Sequence, residues 1–325
     1  MGNILTFVNE TYPPKPLITE QELDDQSGKV FIVTGSTAGV GKELAGILYS
    51  RNARVYVAAR STEKAEGVIY ALKNRYSTST GDLVFLHLDL NDLTTVKKSV
   101  TEFLSKENRL DILWNNAAIL APPAGSRSEQ GYDQQLSVNT LGPFLFTKLL
   151  TPMLLKTAKI STPGSVRVMF VSSSATYLGA PTGGVDVARL VARHHYSPFE
   201  MYAVSKAGDA LYALHFAKLY GKEGVISTSG NPGNLVSELQ REFNWFNRWL
   251  MALISYEAIF GAYTELYAGF SPDITLEENG AWIRPWGRIG RLRQDILDGR
   301  SKEEGGTGNA EAFWRWSEEE VGPYM

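Results

Sequence analysis

The chain has 325 residues, of which 43% are hydrophobic and 21% charged, the balance of a folded globular protein and not of a disordered one. Its 32 Lys and Arg against 35 Asp and Glu leave a formal charge of −3, so nothing in the composition suggests capture of nucleic acid. The lack of Cys removes disulfides, thiolate catalysis and cysteine metal sites together, and no run reaches the roughly 18 apolar residues of a membrane span.

Residues 1–26 carry Pro13, Pro14 and Pro16 and then an acidic stretch, which reads as an irregular arm. From Lys29 onward, short apolar runs alternate with longer helical periods. The runs 30–34, 54–58, 83–88, 110–114, 166–172 and 225–229 have the length of buried parallel strands, and 41–51, 61–75, 93–107, 132–156 and 199–220 have helical length and spacing. This alternation predicts an α/β fold, a doubly wound parallel sheet, because each right-handed crossover lays its helix on a sheet face. Past residue 229 the alternation weakens and the chain becomes aromatic. The tail from Gly299 is Gly-rich, then aromatic and acidic with Trp314 and Trp316, and reads as a segment docked on the body.

The first strand runs directly into Thr34-Gly35-Ser36-Thr37-Ala38-Gly39-Val40-Gly41 and then a helical stretch. Glycines placed there let the backbone turn tightly, admit a pyrophosphate to the main chain and aim a helix N-terminus at the anion. A P-loop is disfavoured, since Glu43 follows Lys42 where a Mg²⁺-binding hydroxyl is required. Dinucleotide sites that prefer NAD close the second strand with an acid about 20 residues further on. Here Arg60 stands in that place. A guanidinium suits a 2′-phosphate, so NADP(H) is the expected cofactor, with Lys64 as a second cation. The bland alternative is a solvated Arg at a strand end.

Tyr202 and Lys206 are four apart in a helical stretch and therefore share a face. Reducing a carbonyl needs a hydride on carbon and a proton on oxygen. A phenol with a pKa near 10 serves as the acid, and a neighbouring ammonium favours the phenolate left behind. The fifth run ends Phe170-Val171-Ser172-Ser173-Ser174-Ala175, where a hydroxyl can hold a substrate oxygen.

These motifs, in this order and with the G-x-x-x-G-x-G spacing, resemble the short-chain dehydrogenase/reductase family over roughly residues 29–269. The long interval from Ser173 to Tyr202 resembles its retinol-dehydrogenase-like and protochlorophyllide-reductase-like members. The resemblance implies a Rossmann fold with Ser173 at the catalytic position, Ser172 being its rival, Tyr202 as acid/base and Lys206 also on the nicotinamide ribose. It further implies that the backbone carbonyl of Asn139 holds a water of the proton relay. Cofactor contacts are expected from Gly35, Ser36, Thr37, Gly39, Val40, Gly41, Asp89, Leu90, Asn116, Ala117, Pro232, Gly233, Leu235 and Ser237, the last standing where the family has Thr. Ala118 replaces the usual Gly after Asn115-Asn116-Ala117. For Asp89 and Asn116 the alternative is a purely structural tie between strand ends, and for Asn139 local hydrogen bonding.

The expected organisation is an arm (1–26), one dinucleotide-binding and catalytic domain (27–270) and an extension packed on the same domain (271–325). The expected function is NADPH-dependent reduction of a lipophilic or aromatic ketone or aldehyde, the apolar pocket being supplied by Phe243, Trp245, Phe246, Trp249, Leu250, Leu253 and Ile254, for which the alternative is a core-packing or dimer helix. Alternatives are alcohol oxidation, C=C reduction, or an NADP(H)-binding sensor or scaffold without turnover. A metal site is not expected, because His87, His194, His195 and His215 lack ligand spacing, and the adjacent pair reads as a loop near the pocket. A cytoplasmic protein is expected. Arg241 and Arg248 beside the aromatics, and Met1-Gly2-Asn3-Ile4-Leu5-Thr6, which fits M-G-x-x-x-[ST], keep peripheral membrane contact open. The resemblance implies a homodimer or homotetramer.

Overall fold

The computed structural model describes residues 10–236 and 255–325. One eight-stranded sheet holds β1 (Val30–Thr34), β2 (Arg54–Ala59), β3 (Asp82–His87), β4 (Ile112–Asn115), β5 (Val166–Val171), β6 (Val225–Gly230), β7 (Trp282–Arg284) and β8 (Arg288–Gly290). Their spatial order is β3-β2-β1-β4-β5-β6-β7-β8, parallel except for β8, which returns antiparallel to β7. The order reverses between β1 and β4, and such a switch point opens a crevice at the carboxyl ends of the strands.

The sheet is two-sided because alternate strand residues face opposite ways. Val30 and Ile32 point to one core with α3 (Leu93–Lys106), α4 (Gly142–Ala158), α5 (Pro198–Tyr220) and α7 (Asn309–Val321). Phe31 and Val33 point to the other, under α1 (Gly39–Ser50), α2 (Thr62–Arg75) and α6 (Ala258–Phe270). Strands buried on both faces are why the runs read as continuous apolar stretches. Local chemistry sets the helix starts. Asp92 accepts from the Thr94 N–H ahead of α3 at 3.0 Å, and Ser197 from the Glu200 N–H at 3.3 Å ahead of α5, with Pro198 as its first residue.

Three features differ from the pattern read along the chain. The stretch 132–156 is not one helix. It is a turn of helix (Gln134–Leu136), a wider π-turn (Ser137–Leu141) closed by Gly142 N–H on the Ser137 carbonyl, and then α4. Pro143 has no N–H to offer the carbonyl four residues back, which is that of Asn139, so a regular ladder cannot run through here. Second, α6 and the β7–β8 hairpin continue the sheet beyond the sixth strand. Third, α7 seats the tail's aromatics: Phe313 stacks on Tyr212 at 4.8 Å, and Trp314 meets Phe144 edge-on at 4.8 Å. Among the described residues no helix is long and apolar enough to cross a membrane. Residues 1–6, Ser237, Arg241, Arg248 and the aromatic run 243–254 lie outside the described residues.

Candidate active site

The ends of β1 and β4 are laced together. The Thr34 hydroxyl donates to the Trp114 carbonyl (3.3 Å) and accepts from the Ala117 N–H (2.9 Å), while Asn116 Nδ2 donates to the Thr34 carbonyl (2.8 Å). Gly35 follows at φ +68°, and a Cβ on it would stand 2.8 Å from Ala117 Cα, so both the conformation and the space demand glycine. A Cβ on Gly41 would likewise fall 2.6 Å from Asn116 Nδ2. Asn116 and Ala117 thus shape the glycine loop from below. The Ser36 side chain is wholly buried and donates to the Val33 carbonyl (2.8 Å), which leaves its backbone as the part available to a ligand.

Helix α1 starts after Ala38 with no side-chain cap and no acidic residue in its first turn. Among the described residues its leading N–H groups and the positive end of its dipole therefore lack a capping side chain or an acid in the first turn, which is the donor set a pyrophosphate needs. Gly39, at φ +52°, and Val40 lie in this first turn beside the partly buried Thr37. Arg60 stands exposed just past β2 and makes no hydrogen bond or ion pair among the described residues. Lys64 is exposed in the first turn of α2.

The other expected contacts line the same edge. One Asp89 oxygen accepts from the Asn91 N–H (2.9 Å), shaping the turn after β3. Leu90 is buried, its carbonyl accepting from the Ser137 hydroxyl (3.2 Å). Beyond β6, Gly233 takes φ +102°, and its N–H donates to Asn231 Oδ1 at 3.1 Å. Val40 and Leu235 both press on Gly261 of α6, so α6 closes over the loop and the turn together.

The run of serines after β5 divides its duties. Ser172 is buried and committed: its hydroxyl donates to the Lys206 carbonyl (2.6 Å) and pairs with Thr176 Oγ1 (3.0 Å). Ser173 is half-buried and among the described residues only accepts, from the Ala175 N–H at 3.2 Å, so there its O–H is free to donate. Tyr202, on α5, packs with Ala175, Ala203, Leu120 and Ala180. Its hydroxyl makes no hydrogen bond among the described residues.

Lys206 lies one turn further along α5 and is 2% exposed. Its Nζ donates to the Val171 carbonyl (2.7 Å) and to Asp209 Oδ2 (2.9 Å). An ammonium has three N–H groups, so one remains beyond these two. Burial pushes the Asp209 carboxyl up to about 7 against the pull of Lys206. Asn139 sits in the π-turn and braces three elements through its side chain: Oδ1 accepts from the Ile119 N–H (2.8 Å), and Nδ2 donates to the Ile119 carbonyl (3.0 Å) and Ser205 Oγ (3.1 Å). Its own carbonyl is the one that Pro143 cannot serve.

Three acids in or beside the site escaped the sequence reading. Asp209 and Glu265 carried a signal, each being a charge within an otherwise apolar helical stretch. Glu265 is fully buried with neither carboxyl oxygen hydrogen-bonded among the described residues, and burial pushes it up to about 8, opposed by the Lys206 charge. Glu10, in the arm, carried none, because its partners lie more than 200 residues away.

Comparison with known proteins agrees with this geometry. A family model for short chain dehydrogenases matches residues 29–188. A short-chain dehydrogenase/reductase of Phomopsis amygdali is 49% identical over 322 residues, 97% of this chain and 96% of that protein. Two solved structures share the fold. A short chain dehydrogenase from Shigella flexneri complexed with NADP has a TM-score of 0.61 at 19% identity, covering 80% of this chain and 97% of its own. A 3-ketoacyl-(acyl-carrier-protein) reductase from Brucella melitensis complexed with NADH has a TM-score of 0.60 at 21% identity, covering 81% and 98%. With its switch-point crevice, glycine loop and Tyr202/Lys206 helix, the chain belongs to the short-chain dehydrogenase/reductase family of oxidoreductases.

Proposed function

We propose that this oxidoreductase uses NADPH to reduce the carbonyl of a lipophilic or aromatic ketone or aldehyde, with Tyr202 as acid/base. The observation that carries the reading is the uncommitted hydroxyl pair at one strand end. Among the described residues Ser173 and Tyr202 both have a free O–H beside Ala175, while the rival Ser172 is spent on the Lys206 carbonyl.

Bound NADPH would supply the hydride. The chain's own groups do the rest. The Ser173 hydroxyl donates to the carbonyl oxygen and holds it in place, and Tyr202 passes its proton to that oxygen as charge builds there. Lys206, anchored by Val171 and Asp209, keeps a positive charge near the phenolate that remains. The Asn139 carbonyl, lacking its regular helix donor, accepts from the water through which the proton is replaced.

The residues present fit the cofactor. The uncapped start of α1 and the glycine cradle suit the pyrophosphate, Asp89 and Leu90 the adenine side, and Pro232, Gly233 and Leu235 the nicotinamide side. Solved relatives carry NADP in one case and NADH in the other, so the fold admits both, and Arg60, with Lys64 behind it, favours the phosphorylated form. The walls around Tyr202, from Leu120, Ala175 and Ala180, are apolar. The trio Tyr256, Phe260 and Trp286, with ring centroids 4.7 and 4.8 Å from Trp286, adds aromatic surface behind Gly233.

The test is to incubate the protein with NADPH and a panel of lipophilic and small hydrophilic carbonyls, then repeat with Tyr202→Phe. Turnover of the apolar members, lost in the variant with NADPH binding retained, is the expected result. Binding without turnover across the panel would instead favour a sensor, and preference for the hydrophilic members would overturn the substrate class.

A further inference from the structure

We propose that the N-terminal arm is a working part of the active site, with Glu10 as a positioning residue for the turn Asn231-Pro232-Gly233. The proposal rests on the cofactor placement above, in which that turn supports the nicotinamide.

Glu10 is 3% exposed, although it belongs to the arm. Its Oε2 accepts from Asn231 Nδ2 at 2.8 Å and its Oε1 from Trp282 Nε1 at 3.4 Å. A carboxylate can only accept, whereas an amide can be turned either way. Facing Glu10, Asn231 must present Nδ2, which leaves Oδ1 for the Gly233 N–H at 3.1 Å. Glu10 thereby fixes the orientation of the side chain that holds Gly233 at φ +102°. The Asn231 N–H is pinned independently on the Ile283 carbonyl at 2.9 Å, so the arm acts on the side chain and not on the strand register.

The groups around Glu10 connect it to the reacting end. Trp282 meets Tyr177 edge-on at 5.5 Å, and Tyr177 lies on the short helix that starts two residues past Ser173. Burial raises the Glu10 carboxyl, while the bonds from Asn231 and Trp282 and the charge of Arg284 lower it, and Tyr177 is the other titratable group that faces it. The arm is fastened further along, where Arg288 Nη2 donates to the Lys15 carbonyl at 2.8 Å. Simple attachment would need only apolar contacts such as Leu23 makes. A buried carboxyl is costly unless its partners are in place, and here they are Asn231 of the cofactor turn and Trp282 of the adjoining β7.

The experiment compares wild type with Glu10→Ala and Glu10→Gln in the full chain, measuring dissociation constants for NADPH and for 2′,5′-adenosine bisphosphate, which carries the adenosine half and does not reach the turn. Glu10→Ala should raise the NADPH constant about tenfold, the size of one lost charge-assisted bond, and leave the bisphosphate within about twofold. Glu10→Gln keeps an acceptor for Asn231 but sets a donor against Trp282, so it should move NADPH the same way by less, and it carries the test if the alanine variant does not fold. Equal weakening of both ligands, or of neither, overturns the arm's role while leaving the cofactor reading intact. Wild type that binds no dinucleotide overturns the cofactor reading itself and this role with it.

Discussion

The two ends of the central sheet are held by different means. From β3 to β6 the strands have four to six residues and continuous parallel ladders, β5 and β6 pairing over six positions from Val166↔Val225 to Val171↔Gly230. Beyond β6, β7 meets its neighbour at only two positions, Ser229↔Trp282 and Gly230↔Ile283. Around it, buried polar side chains tie the segment from α6 to β7 back to the ladder strands. The Arg167 guanidinium reaches from β5 to the carbonyls of Gly164, Ala268, Ser271 and Ile274 at 2.9–3.2 Å. Asn279 returns to β6 by accepting from the Ser227 N–H (2.7 Å) and donating to the Val225 carbonyl (2.9 Å). Ladder-built structure can give its side chains to chemistry, whereas the clamped end spends them on holding itself together.

The largest expected effect tests the ladder-built part. Tyr202→Phe removes one oxygen from a side chain whose hydroxyl bonds to nothing among the described residues, so the melting temperature should hold within a degree or two. Turnover should fall by about 10²–10⁴, the usual worth of general acid catalysis. A large loss of stability in this variant would show that the hydroxyl is structural and would erase the contrast.

The clamped end should behave in the opposite way. Arg167 is 8% exposed with no acid beside it, and burial lowers its pKa to about 10. Arg167→Ala would strand four carbonyls and open a cavity, at a cost of about 3–5 kcal/mol, which for a chain of this size is roughly a 10 °C fall in melting temperature. Far from the crevice, it should leave the Michaelis constant for NADPH nearly unchanged below the transition. Unaltered melting would mean that the end of α6 and the segment after it do not depend on the clamp.

Smaller again is the effect at the rim of the crevice. Arg60→Ala should raise the dissociation constant of NADPH by about 10–100-fold, the worth of hydrogen bonds to a charged group, and that of NADH by less than about twofold. Titration with both nucleotides reads the difference, and equal effects would refute a phosphate clamp at Arg60.

The same contrast explains what the sequence made legible. Periodicity placed the first six strands to within two residues at each end, because a strand buried on both faces is written as an unbroken apolar run. It could not announce β7 and β8, three residues each, because β7 meets β6 at only two positions and Trp282 finds its carboxylate partner, Glu10, in the distant arm. The glycine loop and the Tyr202/Lys206 pair were legible because local spacing is their geometry. The break at Ser137–Leu141 had a local cause in Pro143, visible had the missing N–H been counted. Nothing local distinguishes Ser172 from Ser173, because the partner of the Ser172 hydroxyl, the Lys206 carbonyl, lies 34 residues away.

Glu265 is the exception within the clamped end, a buried polar side chain with no clamp to make. Its carboxyl is pushed up to about 8 by burial, with Lys206 pulling the other way, against about 4.3 in an unfolded chain. Between those values the folded protein holds a proton that the unfolded chain has released, so stability falls as pH rises through the window and levels off above about 8. Glu265→Gln keeps the shape and stays neutral, and so lacks this slope. Urea unfolding at pH 5, 6.5 and 8 should find the two proteins close at pH 5 and the variant more stable by about 1 kcal/mol or more at pH 8, the equivalent of roughly one unit of pKa difference. Parallel curves would mean that Glu265 is solvated or paired in solution. A gap that widens with pH would identify it as a group kept at a cost in stability, within reach of the field of Lys206.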